Sequence, residues 1–532
     1  MNYKVYRVLL FIALSLLISN CAKKGAPTGG LKDSIAPILV SATPNHESIN
    51  FKAKKIKISF DEYIKLKNVT QQLVISPPQK YPPVISPLGT ASKFIKIEIL
   101  DTLDVNTTYA FNFGNSIVDN NEENELGNFK YVFSTGSYID SLIVSGEVAE
   151  SLKSEPLKDI DVMLYEYNDS FTDSIIFKEK PRYISNTLDS TLFELSNLRA
   201  GKYLLIALQD ANGNKIYDPK IDKIGFIKDT ITIPTDESLS ITLFKEILPF
   251  KLSRPIETSK GRIIFGFEGN GKNLDIKLLD KAPSNFKHEL IFEKDKDTLT
   301  YWFNDLEKDS LSFEVKNLNF IDTVSVKLRS SKQDTLVLKS NIPSILEIRD
   351  TFSISSSIPI TKIDTSKITL INRDSIKIPI SVNIDSYKTK LFISFEKELN
   401  TSYDLNILPK SITDIFKNVN DTLSYKFATK TLDSYGTIKI TVSNVNSPII
   451  IELLTEKNEL ISAERITESE TLTFSNLVPK KYIVRAIFDD NNNGIWDTGN
   501  YLEMMYPEKI QYFNTVLELK ANWEENEIFI LE

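Results

Sequence analysis

Two nine-residue segments of the chain place side-chain oxygens at alternate positions. One is DANGNKIYD at 210–218, and the other is DDNNNGIWD at 489–497. Both follow the pattern Asp-x-Asn-x-Asn-x-Ile-x-Asp. Carboxylate and amide oxygens at this spacing can turn inward and surround a hard cation such as Ca²⁺. The same residue types can also form a polar turn whose side chains bond their own backbone.

The first interpretation makes each segment similar to the start of an EF-hand-type calcium loop. With the Ile carbonyl as fourth ligand, the candidate ligands are Asp210, Asn212, Asn214, Ile216 and Asp218, and then Asp489, Asn491, Asn493, Ile495 and Asp497. An EF-hand loop next requires a bidentate Glu, but Ile221 and Asn500 occupy that place. Asp222 follows one position later, and Glu503 follows the second segment. We therefore expect weak Ca²⁺ binding or a plain turn, no required cofactor, and in either case a loop that stiffens the frame.

A second recurrent pattern is Asp followed by Ser or Thr and an aliphatic residue. It resembles the O-glycosylation sequon of exported Bacteroidetes proteins. The candidate modified residues are Ser34, Thr102, Ser141, Ser174 and Thr230. The alternative is purely structural: the Asp ends a turn, and the aliphatic residue starts the next strand.

Catalytic constellations are missing from the sequence. The 532 residues include two histidines, His46 and His288, and a single cysteine. Histidine is the usual general base near neutral pH, so a Ser-His-Asp triad or a His-rich zinc site has few candidates. No nucleophile-elbow, zinc-protease or phosphate-loop motif stands in a suitable context. The net charge of −8 argues against a nucleic-acid partner. We predict a non-enzymatic protein.

The N-terminus has the features of an export signal. Lys4 and Arg7 precede an apolar run, Val8–Ile18, that is too short to span a bilayer. The run ends in Ile-Ser-Asn-Cys, which resembles a bacterial lipoprotein signal and makes Cys21 the lipidated residue. The sequence thus predicts a signal peptide at 1–20 and a flexible tether at 21–36, rich in small and polar residues. An ordinary signal peptide with a chance cysteine is the alternative.

The rest of the chain predicts an all-β fold that is duplicated. Short runs of alternating or β-branched residues recur between polar turns, which is typical of β-sandwiches. Residues 195–218 align with 474–497 without a gap, with 11 identical positions in 24. Upstream of these, NTTYAFNF at 106–113 matches NTSYDLNI at 400–407. The same order of matches in both halves predicts tandem β-sandwich modules in the order A–B–middle–A′–B′.

The A modules, 37–137 and the divergent 346–432, resemble bacterial Ig-like domains of surface-layer proteins. The resemblance rests on Phe-Asp-Glu at 60–62, Asn-Thr-x-Tyr at 106–109 and Phe-Ser-Thr at 133–135. The B modules, 138–247 and 433–532, resemble the prealbumin-like sandwich that accompanies carboxypeptidases. That resemblance rests on Leu-x-x-Gly-x-Tyr at 198–203 and on Leu477 and Tyr482. The middle segment, 248–345, is β-rich and resembles no known family.

The whole chain, including CAKKGAPTGGLKD at 21–33, is similar to a Bacteroidetes family of Ig-like-domain outer-membrane lipoproteins. That resemblance implies a membrane-anchored scaffold with an outer-membrane protein partner, as an accessory subunit of outer-membrane protein assembly. The alternative is a surface glycan-binding or adhesin-like protein, with Trp302, Trp496 and Trp523 as sugar-stacking candidates or core residues. We expect the outer membrane, on the cell-surface face; the periplasmic face is the alternative.

Overall fold

The computed structural model describes residues 33–152, 157–293, 296–304, 306 and 308–532. The predicted signal peptide, Cys21 and most of the predicted tether lie outside these residues. The fold class is confirmed, because strands make up 48% of the structure and helices only 3%. The chain forms two compact units. Unit 1 is Met1–Leu142 with Arg182–Ile184 and Ser196–Arg199, and unit 2 is the remainder.

Unit 1 contains the first A module, built from eight strands and one short helix. The elements are β1 Leu39–Thr43, β2 Lys55–Leu66, α1 Val69–Gln72, β3 Val74–Ser76, β4 Val84–Ser86, β5 Ser92–Glu98, β6 Thr108–Asn112, β7 Ile117–Asp119 and β8 Lys130–Ser134. One sheet has the order β1-β2-β5-β4, with β7 also on β2, and the other is β3-β6-β8. Alternate residues of β2 and β5 face the core, so Ile56, Ile58, Ile95 and Ile97 are buried because strand side chains alternate.

The first B module follows with two further sheets. Its elements are β9 Leu142–Glu150, β10 Asp161–Glu166, a 3₁₀ turn at Asp173–Phe177, β11 Tyr183–Asn186, β12 Leu192–Leu198, β13 Gly201–Gln209, β14 Lys223–Phe226, β15 Ile231–Ile233 and β16 Leu239–Leu243. The sheets are β11-β10-β13-β14, with β15 on β13, and β12-β9-β16. Strands β9 and β16 pair in parallel.

The middle segment is also a two-sheet module. Its strands are β17 Lys251–Leu252, β18 Ile256–Ser259, β19 Arg262–Glu268, β20 Asp275–Leu278, β21 His288–Phe292, β22 Thr298–Phe303, β23 Ser310–Asn317 and β24 Phe320–Lys327. The sheets are β17-β19-β22-β21, with β18 on β19, and β20-β23-β24. Phe265 and Tyr301 from the first sheet pack against Phe313 and Val315 from the second in one core.

The second A module repeats the strand pairing of the first. Its elements are β25 Leu338–Ser340, β26 Phe352–Ser356, β27 Ile360–Ile363, a 3₁₀ turn at Thr365–Lys367, β28 Ile368–Asn372, β29 Lys377–Ile378, β30 Ser381–Ile384, β31 Lys390–Ser394, β32 Ser402–Ile407, β33 Ile412–Asp414, β34 Leu423–Ala428 and a 3₁₀ turn at Leu432–Ser434. The sheets are β25-β26-β31-β30, β27-β33 and β29-β28-β32-β34. Strands β26 and β27 together take the place of the long strand β2.

The second B module has the topology of the first. Its strands are β35 Gly436–Ser443, β36 Ile449–Thr455, β37 Leu460–Ile466, β38 Glu470–Leu477, β39 Lys481–Phe488, β40 Ile510–Tyr512, β41 Leu517–Glu518 and β42 Glu524–Ile530. The sheets are β38-β35-β42 and β37-β36-β39-β40, with β41 on β39, and β35 pairs β42 in parallel. The tandem repeat is thus confirmed. The boundaries of the five predicted modules stay a prediction, because the boundaries of the two compact units do not coincide with them.

Candidate functional site

The Asn-Thr-x-Tyr motif of the first A module fixes a corner between strands. Asn106 adopts a left-handed backbone with φ 51°, which asparagine tolerates. The N–H of Thr107 donates to Oγ1 of Thr135 at 2.9 Å, and that hydroxyl donates to the carbonyl of Asp104 at 2.6 Å. The hydroxyl of the buried Tyr109 accepts a hydrogen bond from the N–H of Asp104 at 2.9 Å. The motif therefore ties the entry of β6 to the end of β8.

The second copy repeats this corner bond for bond. Asn400 also has φ 51°, and the N–H of Thr401 donates to Oγ1 of Thr429 at 3.2 Å. The Thr429 hydroxyl donates to the carbonyl of Glu398 at 2.5 Å, and the Tyr403 hydroxyl accepts the N–H of Glu398 at 2.8 Å. The motif therefore belongs to the frame of the Ig-like modules.

The first Asp/Asn loop closes on its own backbone. The Asp210 carboxylate accepts N–H groups from Gly213 at 2.8 Å and Lys215 at 2.7 Å. Oδ1 of Asn214 accepts the N–H of Ile216 at 2.7 Å. The Lys215 ammonium lies 3.8 Å from the Asp210 carboxylate and 2.5 Å from buried Asp161. Burial raises the pKa of Asp161 even though Lys215 opposes that effect.

The second loop closes in the same manner. The Asp489 carboxylate, which is fully buried, accepts N–H groups from Asn493 and Gly494 at 2.9 Å each. The Nη2 atom of Arg465 lies 3.4 Å from that carboxylate. A protein cation thus stands beside the leading aspartate of both loops, which favours the turn interpretation over a bound ion.

A buried carboxylate supports each loop from outside the repeated pattern. Asp222 accepts the N–H of Ala211 at 2.9 Å and the N–H of Asp218 at 2.8 Å. Glu508 accepts the N–H groups of Asp490 and Asp497 at 3.0 Å each.

These two carboxylates are therefore counterparts. The sequence pointed to Glu503 in the second loop, but that side chain is exposed and Glu508 takes the supporting role. Burial raises the pKa of Glu508, while backbone N–H donors act in the opposite direction.

Among the described residues, no group of three or more His, Cys, Asp or Glu side chains is placed to hold a metal ion. The oxygens of the two loops are hard donors of the kind that Ca²⁺ prefers. The leading aspartates, however, already accept hydrogen bonds from backbone N–H groups. Calcium binding at the ten candidate ligands stays a prediction.

The segment after the second loop reaches the first B module. This segment, Thr498–Tyr506, is called the arm below. The Thr498 hydroxyl donates to the carbonyl of Lys245 at 2.7 Å. The N–H of Tyr501 donates to Oε1 of Glu246 at 2.5 Å, and Oε2 of Glu246 accepts the Tyr217 hydroxyl at 2.7 Å. Glu246 therefore joins the arm to the first Asp/Asn loop.

Aromatic packing completes this contact. Tyr501 is fully buried, and its ring centroid lies 5.5 Å from that of Phe226 and 6.1 Å from that of Phe177. Burial raises the pKa of Tyr501 above its ordinary range. Tyr506 lies 5.3 Å from Phe226, and its hydroxyl accepts the N–H of Lys228 at 2.9 Å.

Gly499 fits against Phe244, since an added Cβ would lie 2.7 Å from that ring. Within unit 2 the two B modules are thus in direct contact, although the partners Tyr501 and Glu246 are 255 positions apart in the sequence. The linear order of modules did not predict this contact.

The predicted glycosylation residues lie in turns or beside them. Ser34, Thr102 and Ser141 are exposed, whereas Ser174 and Thr230 are half-buried. Ser141 and Thr230 immediately precede strands β9 and β15, as the structural alternative predicts. The positions suit either interpretation, and modification stays a prediction.

The three tryptophans occupy unlike environments. Trp302 is buried and packs with Ile358 and Ile415, which joins the middle module to the second A module. Trp496 is half-buried, and its Nε1 donates to the carbonyl of Glu508 at 3.0 Å. Trp523 is 53% exposed beneath Lys520. The three tryptophans therefore do not form a common sugar-stacking surface, and that prediction is wrong.

An open depression of about 500 Å³ lies on the second A module. Its polar lining includes Asn372, Arg373, Asp404 and Lys426. Such a mixture of hydrogen-bonding groups and both charges could hold a small polar ligand.

Residues 33–135 match the family model of the bacterial Ig-like domain, so the Ig-like prediction for this region is confirmed. No curated protein matches the chain significantly. The described residues contain no helix that is both long and apolar enough to cross a membrane.

Solved structures with local similarity include the TIE protein of Bacillus anthracis, with 11% identity and a TM-score of 0.15, covering 100% of this chain and 79% of that chain. Domains 5–6 of the S-layer protein SbsC show 10% identity and a TM-score of 0.17, covering 35% and 99%. The SGBP-B protein of the Bacteroides ovatus mixed-linkage glucan utilization locus, in complex with a heptasaccharide, shows 11% identity and a TM-score of 0.17, covering 62% and 87%. At these TM-scores the similarity bears on neither the arrangement of the modules nor their function.

Proposed function

We propose that this chain is a non-catalytic, lipid-anchored outer-membrane protein that serves as a scaffold for a membrane protein partner. The observation that supports this most directly is the contact between the two B modules. Modules in one chain move relative to each other by default unless a well-packed interface holds them. The buried Tyr501, with Glu246 bridging two elements, supplies such an interface.

Contacts between neighbouring modules of unit 2 also hold the modules at a fixed spacing. Nδ2 of Asn304 in the middle module donates to the carbonyl of Ile415 at 3.1 Å. At the next junction, the Tyr435 hydroxyl donates to Glu347 at 2.7 Å. Burial, together with the neighbouring Glu347, raises the pKa of Tyr435 to about 12. Fixed spacing between modules is the property that a scaffold requires.

The test is affinity purification of the tagged, membrane-embedded chain after mild crosslinking. We expect stoichiometric recovery of an outer-membrane protein, and we expect weaker recovery when Tyr501→Ala releases the arm. The matched control is Trp523→Ala, which removes an exposed aromatic residue from the same module. Recovery of no membrane protein under any condition contradicts the scaffold.

A surface glycan-binding protein is the second candidate function, and the depression on the second A module favours it. Binding to cell-surface polysaccharide by the purified chain, lost in the double variant Arg373→Ala/Lys426→Ala, would support that function instead. The variant Lys439→Ala, which removes a half-buried cation of the second B module that pairs with Glu524 at 2.8 Å, is the control for charge alone.

A further inference from the structure

The outward face of the first sheet of unit 1 is rich in lysine. Lys55 and Lys57 on β2 and Lys93 and Lys96 on β5 are all exposed. We call these four residues, with the Phe94 ring between them, the lysine face. The inward positions of both strands are occupied by the buried isoleucines of the core. Lys57 and Lys96 can therefore meet a partner without disturbing the core, whereas Lys55 pairs with Glu98 and the Lys93 ammonium donates to the carbonyl of Asp61 at 3.0 Å.

The carboxylates on the same strands, Asp61, Glu62 and Glu98, balance part of this charge. Glu98 lies directly opposite Lys55 in the strand register, with 3.4 Å between the charged groups. Asp61 uses Oδ1 to accept the N–H of Ile38 at 2.9 Å. No carboxylate in the described chain forms an ion pair with Lys57, Lys93 or Lys96 within 4.0 Å.

Lys57 and Lys96 face each other directly across the two strands. Like charges at opposed positions of an antiparallel pair are destabilising. Both ammonium groups lie over the same ring, because the Nζ atoms of Lys57 and Lys96 are 4.8 Å and 5.2 Å from the Phe94 centroid. The ring offsets part of the repulsion, and an anion bound between the two lysines would remove the rest.

The second A module shows that the fold does not require these lysines. In its matching sheet, Phe392 pairs with Ser353 as Phe94 pairs with Ser59, so Ser394, two residues after Phe392, stands at the position of Lys96. The ammonium of Lys390 lies 5.7 Å from the centroid of the Phe392 ring. The basic charge is therefore concentrated on the copy that follows the predicted lipid-attachment residue.

The distance to that residue is short. Eleven residues lie between Cys21 and Asp33, where the described chain begins, and the twelve residue steps from one to the other span at most about 40 Å when extended. Two exposed tyrosines, Tyr63 and Tyr81, lie in the same unit, and the ammonium of Lys93 is 5.5 Å from the Tyr63 ring. Tyrosine and lysine together are typical of the headgroup level of a bilayer.

We propose that the lysine face docks unit 1 on the anionic headgroups of the bilayer that carries the lipid anchor. This inference rests on the proposed anchor for the nearness of the bilayer. The contact itself consists of lipid phosphates between Lys57 and Lys96, with flanking tyrosines at the interface. Each lysine near an anionic surface contributes about fivefold to affinity at moderate salt.

The test is co-sedimentation of the non-acylated chain that starts at Ala22 with vesicles. The vesicles contain phosphatidylcholine alone or an equimolar mixture with phosphatidylglycerol. We expect binding to the anionic vesicles only, and a loss of about 10- to 30-fold in Lys57→Gln/Lys96→Gln. The matched control is Lys377→Gln/Lys390→Gln in the second A module, which removes the same charge and should leave binding unchanged.

The variant should stay folded, because it removes a repulsive pair of exposed residues, and an unchanged or higher melting temperature checks this. Equal binding to both vesicle types, or equal loss in the control variant, overturns the proposal. Binding to heparin without binding to anionic vesicles also overturns it, since that result identifies a soluble polyanion. Acylation of Cys21 is measured separately by mass spectrometry. The proposed lipid anchor and the proposed membrane contact of the lysine face are therefore tested independently.

Discussion

At the scale of single residues, the duplicated polar positions serve the backbone. Asp119 and Asp414 stand at matching places in the two A modules, and both are 1% exposed. Asp119 accepts N–H groups from Asn121, Glu122 and Asn124 at 2.7 Å each. Burial acts to raise the pKa of Asp119, but these backbone donors prevail and lower it. The carboxylate therefore holds the loop that follows it.

We predict that Asp119→Asn opens this loop. An amide cannot accept all three bonds, and a lost buried hydrogen bond costs about 1–3 kcal/mol. Because the folded-state pKa is lowered, the ionised carboxylate stabilises the fold above its unfolded pKa of about 3.9, and that stabilisation disappears as pH falls through the folded-state pKa. Hydrogen exchange of residues 120–126 should rise about 5- to 150-fold at neutral pH.

The difference from wild type should shrink below about pH 4. Asp414→Asn is the matched variant, since Asp414 accepts N–H groups from Phe416 at 2.9 Å and Asn418 at 2.8 Å. It should loosen residues 415–420 and leave 120–126 unchanged. An Asp119→Asn effect of equal size at every pH would contradict the assigned role.

At the scale of elements, the Asp/Asn loops are supports whose leading aspartates are held by backbone N–H groups and by a neighbouring protein cation. We therefore predict that saturating Ca²⁺ and excess EDTA give the same melting temperature to within about 1 °C. A ligand that binds only the folded state stabilises it by an amount that grows with the logarithm of its concentration. A melting temperature that rises steadily with Ca²⁺ concentration would instead establish the calcium interpretation, and Asp210→Asn or Asp489→Asn would identify the responsible loop.

The arm is the element that joins modules distant in sequence. We predict that Tyr501→Ala destabilises this junction by about 3–5 kcal/mol, as is usual for a large buried aromatic residue. Tyr506→Phe, which removes only the hydroxyl that accepts from Lys228, should cost about 0.5–1.5 kcal/mol. Hydrogen exchange should rise in residues 498–506 and around Glu246, while β13 and β39 stay protected. Uniform loss of protection throughout both modules would show that the arm is part of a single core.

The sequence predicted the strands, the duplication and the Asn-Thr-x-Tyr corners, because alternating hydrophobicity and fixed turn residues are local properties. The contact of the arm with the first B module was not predicted, for a physical reason. Tyr501 and Tyr506 lie in a segment without strand periodicity, and their partners Phe226 and Glu246 are far away in sequence. The nearest signal was the segment NYLEMMY at 500–506, which has no equivalent after the first loop and is too apolar for a free surface turn.

At the scale of the whole molecule, the proposed attachment of lipid to Cys21 would set where the protein is held. We predict that Cys21→Ser moves the protein from the membrane fraction to the soluble fraction. Mass spectrometry of the wild-type N-terminus should show an acylated cysteine, whereas Ser19→Ala should leave acylation intact. Protease treatment of intact cells should cleave a surface-exposed chain. An unacylated mature protein that still fractionates with membranes would remove the anchor from the proposal.

In each B module the first and the last strand along the chain pair in parallel, and this pairing has a mechanical consequence. In the second B module, β35 and β42 run side by side through seven residue pairs, from Thr437 with Glu524 to Ser443 with Ile530. The chain therefore enters and leaves the module at opposite ends. Tension between these ends loads the interstrand hydrogen bonds together in shear, so they cannot open one after another. Such a module should yield only at high force, a property suited to a surface under drag.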